Sequence, residues 1–462
     1  MNDALLERLA AICGNGGLLT ERDQILPYVT DWRGVFVGAA RAVARPADTA
    51  AVAACVRACR DAGAVIVPQG GNTGLAAGAT PIDLENAIVL SLARMRRIRA
   101  LDPLGFTICV DAGCVLAEVQ AAAQEAGRFF PLSLAAEGSA QIGGLISTNA
   151  GGTAVLRYGS MRALVLGLEV VLPNGEIADG LRALRKDNAG YDWKQLFIGA
   201  EGTLGVITGA VLRLFAQPAH QITALLGVPS LPDAVAAFGD LAESLGEALV
   251  GAELFSDRAI TLRLEHDPAL TRPVAAQPWY LLLEAASALA GLRESAEAAL
   301  ARVLERGYAV DGTIAESSAQ ARALWSWRET ISETERRAGR SAKHDVSVAI
   351  SAIPAFVQRA TRDVESAYPG ARVLAFGHLG DGNIHFNVLL GEGQSSAAVN
   401  RTVHELVREF GGSITAEHGI GRYRRDELGE HRSAAELSLM HAVKQALDPA
   451  GIMNPGAVLK PH

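Results

Sequence analysis

Three glycine-rich segments, each set beside a β-branched run, constrain this chain more than anything else in it. The first is Pro68-Gln-Gly-Gly-Asn-Thr-Gly-Leu-Ala-Ala-Gly78, which follows a short apolar run at 64–67 and holds four glycines in nine residues. A loop of this kind lets backbone N–H groups approach a phosphate closely. The second leads from Pro131 and Ser133 through Gly138 and Ser139 into Ile142-Gly-Gly-Leu-Ile-Ser-Thr-Asn-Ala-Gly-Gly152. The third is Ile198-Gly-Ala-Glu-Gly-Thr-Leu-Gly-Val-Ile-Thr208. Together they predict one extended ligand lying across a sheet and held largely by main-chain groups, which suits a cofactor containing a diphosphate. No Lys-Ser/Thr pair follows the first loop, and no G-x-G-x-x-G occurs in the chain. Neither a Walker-type triphosphatase nor a Rossmann dinucleotide site is therefore supported.

A second pattern lies far downstream. In Phe376-Gly-His-Leu-Gly-Asp-Gly-Asn-Ile-His-Phe-Asn387 the flanks read as strands and Gly-Asp-Gly-Asn reads as a turn. A hairpin here brings His378 and His385 to one end of a stiff two-stranded unit, with His385 and Asn387 on the same face. Further on, Ser413-Ile-Thr-Ala-Glu-His-Gly-Ile-Gly421 sets Glu417 and His418 side by side before two glycines. Two imidazoles and a carboxylate with an open fourth position form a ligand set used by catalytic zinc sites.

At 462 residues the chain is expected to form two or three domains. Its net charge of −8 argues against a nucleic-acid partner. No apolar run reaches the ~18 residues that span a bilayer, and the polar, acidic opening does not read as a signal peptide. The five cysteines (13, 55, 59, 109 and 114) form no CxxC pair, so neither a disulfide framework nor a thiolate metal site is indicated. A reduced, cytoplasmic location is expected. Residues 1–36 read as a helical lead-in. Pro46-Ala-Asp-Thr opens a helix whose Val52, Cys55, Val56 and Cys59 fall at core spacing. After residue 216 glycine thins out, and Ala/Leu/Glu-rich helices such as 232–246 and 290–306 alternate with strands. Helices on an antiparallel sheet, an α+β arrangement, are predicted for 217–424. Residues 425–462 hold an amphipathic helix near 437–447 and a turn-rich tail.

The three glycine elements and the two histidine elements occur in an order that resembles the FAD-linked oxidases, with a flavin domain of the vanillyl-alcohol-oxidase type. Within that family the chain is similar to the D-2-hydroxyacid dehydrogenases. The resemblance covers roughly residues 25–460, most specifically at 68–75, 142–152, 199–208, 377–387, 416–421 and Asn454-Pro-Gly456. It implies an α+β fold: a two-subdomain FAD-binding domain at 37–216, a substrate- and metal-binding cap at 217–424, and a C-terminal segment that returns to the flavin domain.

The resemblance places the FAD diphosphate on Gly70, Gly71, Asn72, Thr73 and Gly74, within the Pro68–Leu75 motif. Gly78, Pro131, Ser133, Gly138, Ser139 and Gly143 would line the isoalloxazine and ribityl path. Ser147, Asn149, Gly151, Glu201 and Ile207 would complete the adenine side, with Asn454 also on the cofactor. The first loop holds no His or Cys, so FAD is expected to be non-covalent. The resemblance further implies a divalent metal, zinc by preference, on His378, His385 and Glu417. His418 would be the catalytic base, also touching substrate, and Asn387 would hydrogen-bond the substrate. Arg328, Ser332 and Lys343 would take its distal carboxylate. The implied reaction oxidises a D-2-hydroxyacid to the 2-oxoacid by hydride transfer to flavin, with D-2-hydroxyglutarate or D-malate favoured. The alternative is a D-lactate or glycolate dehydrogenase flavoprotein subunit of a larger complex. The electron acceptor is not identified by the sequence, an electron-transfer flavoprotein, a quinone or a cytochrome being the candidates, and a homodimer is left open.

Overall fold

Residues 3–84 and 86–460 are described by the computed structural model. They divide into two units. The first comprises Met1–Gly152, Gly159–Gln217 and Glu417–His462; the second comprises Thr153–Tyr158 and Pro218–Ala416. The sequence reading placed the chain's return at 425, whereas this division falls at 417. The physical reason is local: the Ala416 N–H still bonds the Asp345 carbonyl, at 3.0 Å. The Ile420 and Gly421 N–H groups instead bond the Glu201 carboxylate, at 2.8 and 2.9 Å.

The first unit contains two main sheets. In the four-stranded sheet, Ala42–Ala44 and Val65–Gln69 flank Ala87–Ser91 in parallel, and Leu18–Leu19 forms an edge. The helix Thr49–Asp61 joins the first two of these strands. Its N-cap Asp48 accepts from the Ala51 N–H at 2.8 Å, and it buries Val52, Cys55, Val56 and Cys59. The other sheet is antiparallel, built from Ile98–Asp102, Thr107–Asp111, Val206–Arg213, Val165–Val171 and Ile177–Gly180 in that spatial order. The lead-in belongs to this unit as the helices Asp3–Cys13 and Arg22–Val29. Part of the second glycine segment is not loop: Ile142–Ser147 forms a short helix.

The C-terminal segment completes this unit. Its helix Ala434–Leu447 leads to a parallel bridge between Met453 and Ile66. The Ile66 N–H bonds the Ile452 carbonyl at 2.8 Å, and the Asn454 N–H bonds the Ile66 carbonyl at 2.7 Å.

The second unit is one large antiparallel sheet in the order Asp311–Ile314, His220–Val228, Trp279–Ser287, Leu249–Ser256, Arg372–His378, Asn383–Leu389, Ser341–Ala342. Asp345–Ser347 pairs with the same strand as Ser341–Ala342. Strand side chains alternate between faces. Ile222 and Ala285 accordingly pack under the helix Leu292–Glu305. Leu225, Phe255, Tyr280, Leu282 and Phe376 meet Leu324 and Trp327 of the helix Ser318–Glu329 on the other face. Among the described residues no helix is long and apolar enough to cross a membrane.

Candidate functional site

In the first unit the three glycine segments converge on one open cavity. Pro68, Gly70, Gly71, Asn72, Thr73, Gly74 and Gly78 line it from the first loop, Gly143 and Ser147 from the short helix, and Glu201 and Ile207 from the third element. His418 lines it too. The backbone needs glycine at two points. A Cβ on Gly71 would stand 2.0 Å from the Ser139 carbonyl, and one on Gly421 would stand 1.9 Å from the Ala76 carbonyl at a φ of +55°. Leu75, Pro131, Ser133, Gly138, Ser139, Asn149, Gly151 and Asn454 are not among the lining residues. Ser139 bounds the first loop from behind. The Asn149 side chain accepts from Ser160 Oγ and the Arg162 N–H, both at 2.9 Å.

Asn454 is a brace. Its Nδ2 donates to the Gly78 carbonyl at 2.9 Å and the Glu201 carbonyl at 2.8 Å, and its Oδ1 accepts from Arg422 Nη2 at 2.7 Å. Asn72 likewise spends its side chain on the carbonyls of Pro27 and Thr30, leaving its backbone for the cavity. Burial pushes the Glu201 carboxyl up to about 7, against the downward pull of the Ile420 and Gly421 N–H groups and Arg422.

Gln141 and Thr148, absent from the sequence-based set, also line the cavity. Gln141 Oε1 is buried without a hydrogen-bond partner, an acceptor that a bound ligand can satisfy. The orphaned acceptor and the glycine-lined walls fit a flavin dinucleotide held mainly by main-chain groups.

In the second unit, sheet register puts the chemistry in rows. Glu253 lies opposite His378, and His378 opposite Asn383. Two residues along, on the same face, Phe255, Phe376, His385 and Asp345 follow one another across four strands. The His378 and His385 rings sit 5.5 Å apart, centroid to centroid. His378 Nδ1 is bonded to Glu253 Oε1, and His385 Nδ1 lies 3.7 Å from Asp345 Oδ1. Each ring thus turns Nδ1 to a carboxylate, which directs its other nitrogen away from that carboxylate. Paired histidines oriented in this way fit a divalent metal. Ala416, bonded to the Asp345 carbonyl, precedes Glu417 by one peptide bond. In the first unit Glu417 Oε1 and His418 Nε2 are 3.8 Å apart.

Arg328 comes from the end of the helix Ser318–Glu329. Its Nε donates to Glu253 Oε2 at 2.7 Å, and its guanidinium lies 4.8 Å from the centre of the Phe376 ring. Among the described residues no protein group hydrogen-bonds its Nη edge. Burial would raise the Glu253 pKa, but the Arg328 charge and the His378 hydrogen bond hold its carboxyl well below the usual carboxylate range. A second buried carboxylate, Glu335, accepts from Asn387 Nδ2 at 2.7 Å and lies 3.4 Å from Lys343 Nζ. Ser332 is exposed, one turn beyond Arg328. Sequence reasoning did not single out Glu253 or Glu335. The available signal was a lone acid among apolar strand residues in Leu249-Val-Gly-Ala-Glu-Leu-Phe-Ser256.

Dinucleotide cavity, cap sheet and returning C-terminal segment together define the class of two-unit flavoproteins. Residues 217–458 match the model for FAD linked oxidases, C-terminal domain, and residues 40–180 match the FAD binding domain. The chain belongs to the FAD-linked oxidase family and is an FAD-dependent oxidoreductase. It is 37% identical to D-2-hydroxyglutarate dehydrogenase of Stutzerimonas stutzeri, over 98% of each chain. It is 38% identical to the mitochondrial D-2-hydroxyglutarate dehydrogenase of Bos taurus, over 99% of this chain and 83% of the other. The fold matches that of 4-ethylphenol oxidase from Gulosibacter chungangensis with a TM-score of 0.75 at 17% identity, covering 100% of this chain and 97% of that one.

Proposed function

We propose that the chain oxidises D-2-hydroxyglutarate, and D-malate more slowly, to the 2-oxoacid. The observation that carries this reading is Arg328: a guanidinium anchored on buried Glu253, beside a histidine pair, with its Nη edge open. A planar fork of this kind suits a substrate's distal carboxylate. Lys343, oriented by Glu335, adds a second cation, which favours a diacid over D-lactate. The names of the relatives at 37–38% identity support the same substrate.

His378, His385 and Glu417 are the residues that would hold a divalent ion, with zinc suited to this donor set. When bound, the ion supplies Lewis acidity toward the α-hydroxyl and FAD supplies the hydride acceptor. His418, on the wall of the flavin cavity, takes the hydroxyl proton, a task an imidazole performs near neutral pH. Arg328 and Lys343 orient the substrate, with Asn387 held at the same sheet face by Glu335.

The test is anaerobic bleaching of the flavin across a panel of D- and L-2-hydroxyacids, before and after chelation. The expected order is D-2-hydroxyglutarate, then D-malate, then D-lactate. Chelation should stop bleaching while the yellow flavin stays bound, and zinc should restore it. Faster bleaching by D-lactate than by both diacids, or full turnover after chelation, overturns the reading.

A further inference from the structure

We propose that Glu253 is a positioning residue that sets the histidine end and the arginine end of the cap site together. This rests on the reading of His378 as a metal ligand and Arg328 as a carboxylate clamp. The geometry is one carboxylate with two duties. Glu253 lies directly across the sheet from His378, is fully buried, and bonds His378 Nδ1 through Oε1. Its Oε2 accepts from Arg328 Nε at 2.7 Å. Each oxygen thus has its own cationic or donor partner.

The consequences follow from the chemistry of each partner. A carboxylate can only accept, so it requires the proton on Nδ1 of His378 and leaves the lone pair on Nε2. That is the tautomer a metal ligand needs, and a hydrogen-bonded carboxylate behind an imidazole also raises its basicity. On the other side, holding Arg328 by Nε removes rotation about the end of a long side chain. The guanidinium plane is fixed over Phe376, and the outer edge is presented as a preformed fork. Neither Arg328 nor His378 would be aimed by the sheet alone. Glu284, on the neighbouring strand, is occupied by Trp325 Nε1 at 2.9 Å.

Glu253→Gln discriminates positioning from mere support. The amide keeps the shape, but it can present its oxygen to only one partner and must turn an N–H toward the other. If it turns toward His378, the imidazole must accept at Nδ1 and carry its proton on Nε2, where the metal would sit. If it turns toward Arg328, two donors face each other.

Two readouts are taken on the FAD-loaded full chain. Zinc affinity by competition titration should fall roughly 10–100-fold in the variant. At saturating zinc, the KM for D-2-hydroxyglutarate relative to that for D-lactate should rise at least tenfold, since D-lactate has no second carboxylate to lose. A role in folding alone would change neither the affinity of the folded fraction nor the ratio. A third readout needs no substitution: nitrogen-15 spectra of histidine-labelled, metal-free wild type should show His378 protonated at Nδ1. Protonation at Nε2 overturns the proposal, and so does a variant that holds FAD with zinc affinity and KM ratio within twofold of wild type. If the wild type binds no zinc and does not prefer the diacid, the functional reading and this proposal fall together. If it does both and the variant matches it, this proposal falls alone.

Discussion

Asn454 offers a sharp test of how the flavin unit is held. It is 1% exposed, sits at a φ of +43°, and ties the first glycine loop to the third element through the carbonyls of Gly78 and Glu201. Asn454→Gly removes the side chain without a steric charge for positive φ. Two neutral hydrogen bonds and one from Arg422 Nη2 disappear. Arg422 keeps its bonds to the carbonyls of Gly78 and Pro455 at 2.9 and 3.0 Å, which softens the loss. Hydrogen bonds are worth about 0.5–1.5 kcal/mol net when neutral and more when charged, so their loss costs roughly 3 kcal/mol. Asn454→Ala makes the same deletion and keeps the Cβ that Asn454 already carries in the left-handed region, so it bears that whole loss, whereas glycine is relieved of about 1–2 kcal/mol there. In a unit of this size each kcal/mol shifts the midpoint by about 2–4 °C, which predicts a fall of roughly 6–12 °C for the alanine variant. Glycine should fall less. The assay is thermal release of the flavin, read as rising fluorescence, because it reports on this unit and does not require the whole chain to unfold in one step. An alanine variant within about 2 °C of wild type, or a glycine variant no more stable than the alanine one, refutes the reasoning.

Two further outcomes are expected. Glu201, raised from 4.5 to about 7 by burial, binds more protons folded than unfolded. Its contribution is therefore complete below the unfolded value and is lost as pH rises through 7. The stability of the flavin-free wild type relative to Glu201→Gln should fall between pH 5 and pH 8. The fall should be at most about 3 kcal/mol, less for the part of the carboxyl left open to the cavity. A difference in urea midpoints that does not change with pH rules this out. His418→Ala should keep its flavin spectrum and lose turnover by roughly 100- to 10,000-fold, the usual worth of a general base; undiminished turnover removes it from the mechanism.

The parts of the site that could be read from sequence are those whose signal is local. Gly71 and Gly421 announce themselves because no other residue fits where the backbone closes on the carbonyls of Ser139 and Ala76. The hairpin around His378 and His385 is legible because its turn chemistry and alternation lie within a dozen residues. Residues whose role depends on distant pairing were harder to read. Glu253 gains its meaning only when its strand is registered against His378, and Glu335 only when Asn387 lies beside it. Asn454 read as a cofactor contact, yet its side chain is consumed by Gly78, Glu201 and Arg422. The glycines at 143 and 144 read as loop, but the intervening apolar residues Ile142, Leu145 and Ile146 bury one side of a helical turn. A lone acid at an inward strand position is the clue that would have found Glu253, since an unpaired buried charge is too costly to persist.

The brace between Asn454 and Gly78 joins groups 376 residues apart in the chain, and Ile66 waits on Met453 in the same way. During translation the glycine loops emerge from the ribosome long before their last supports exist. The nucleotide cradle stays unfinished until residues 453 and 454 are released, and a nascent chain stalled before residue 453 is left without this brace.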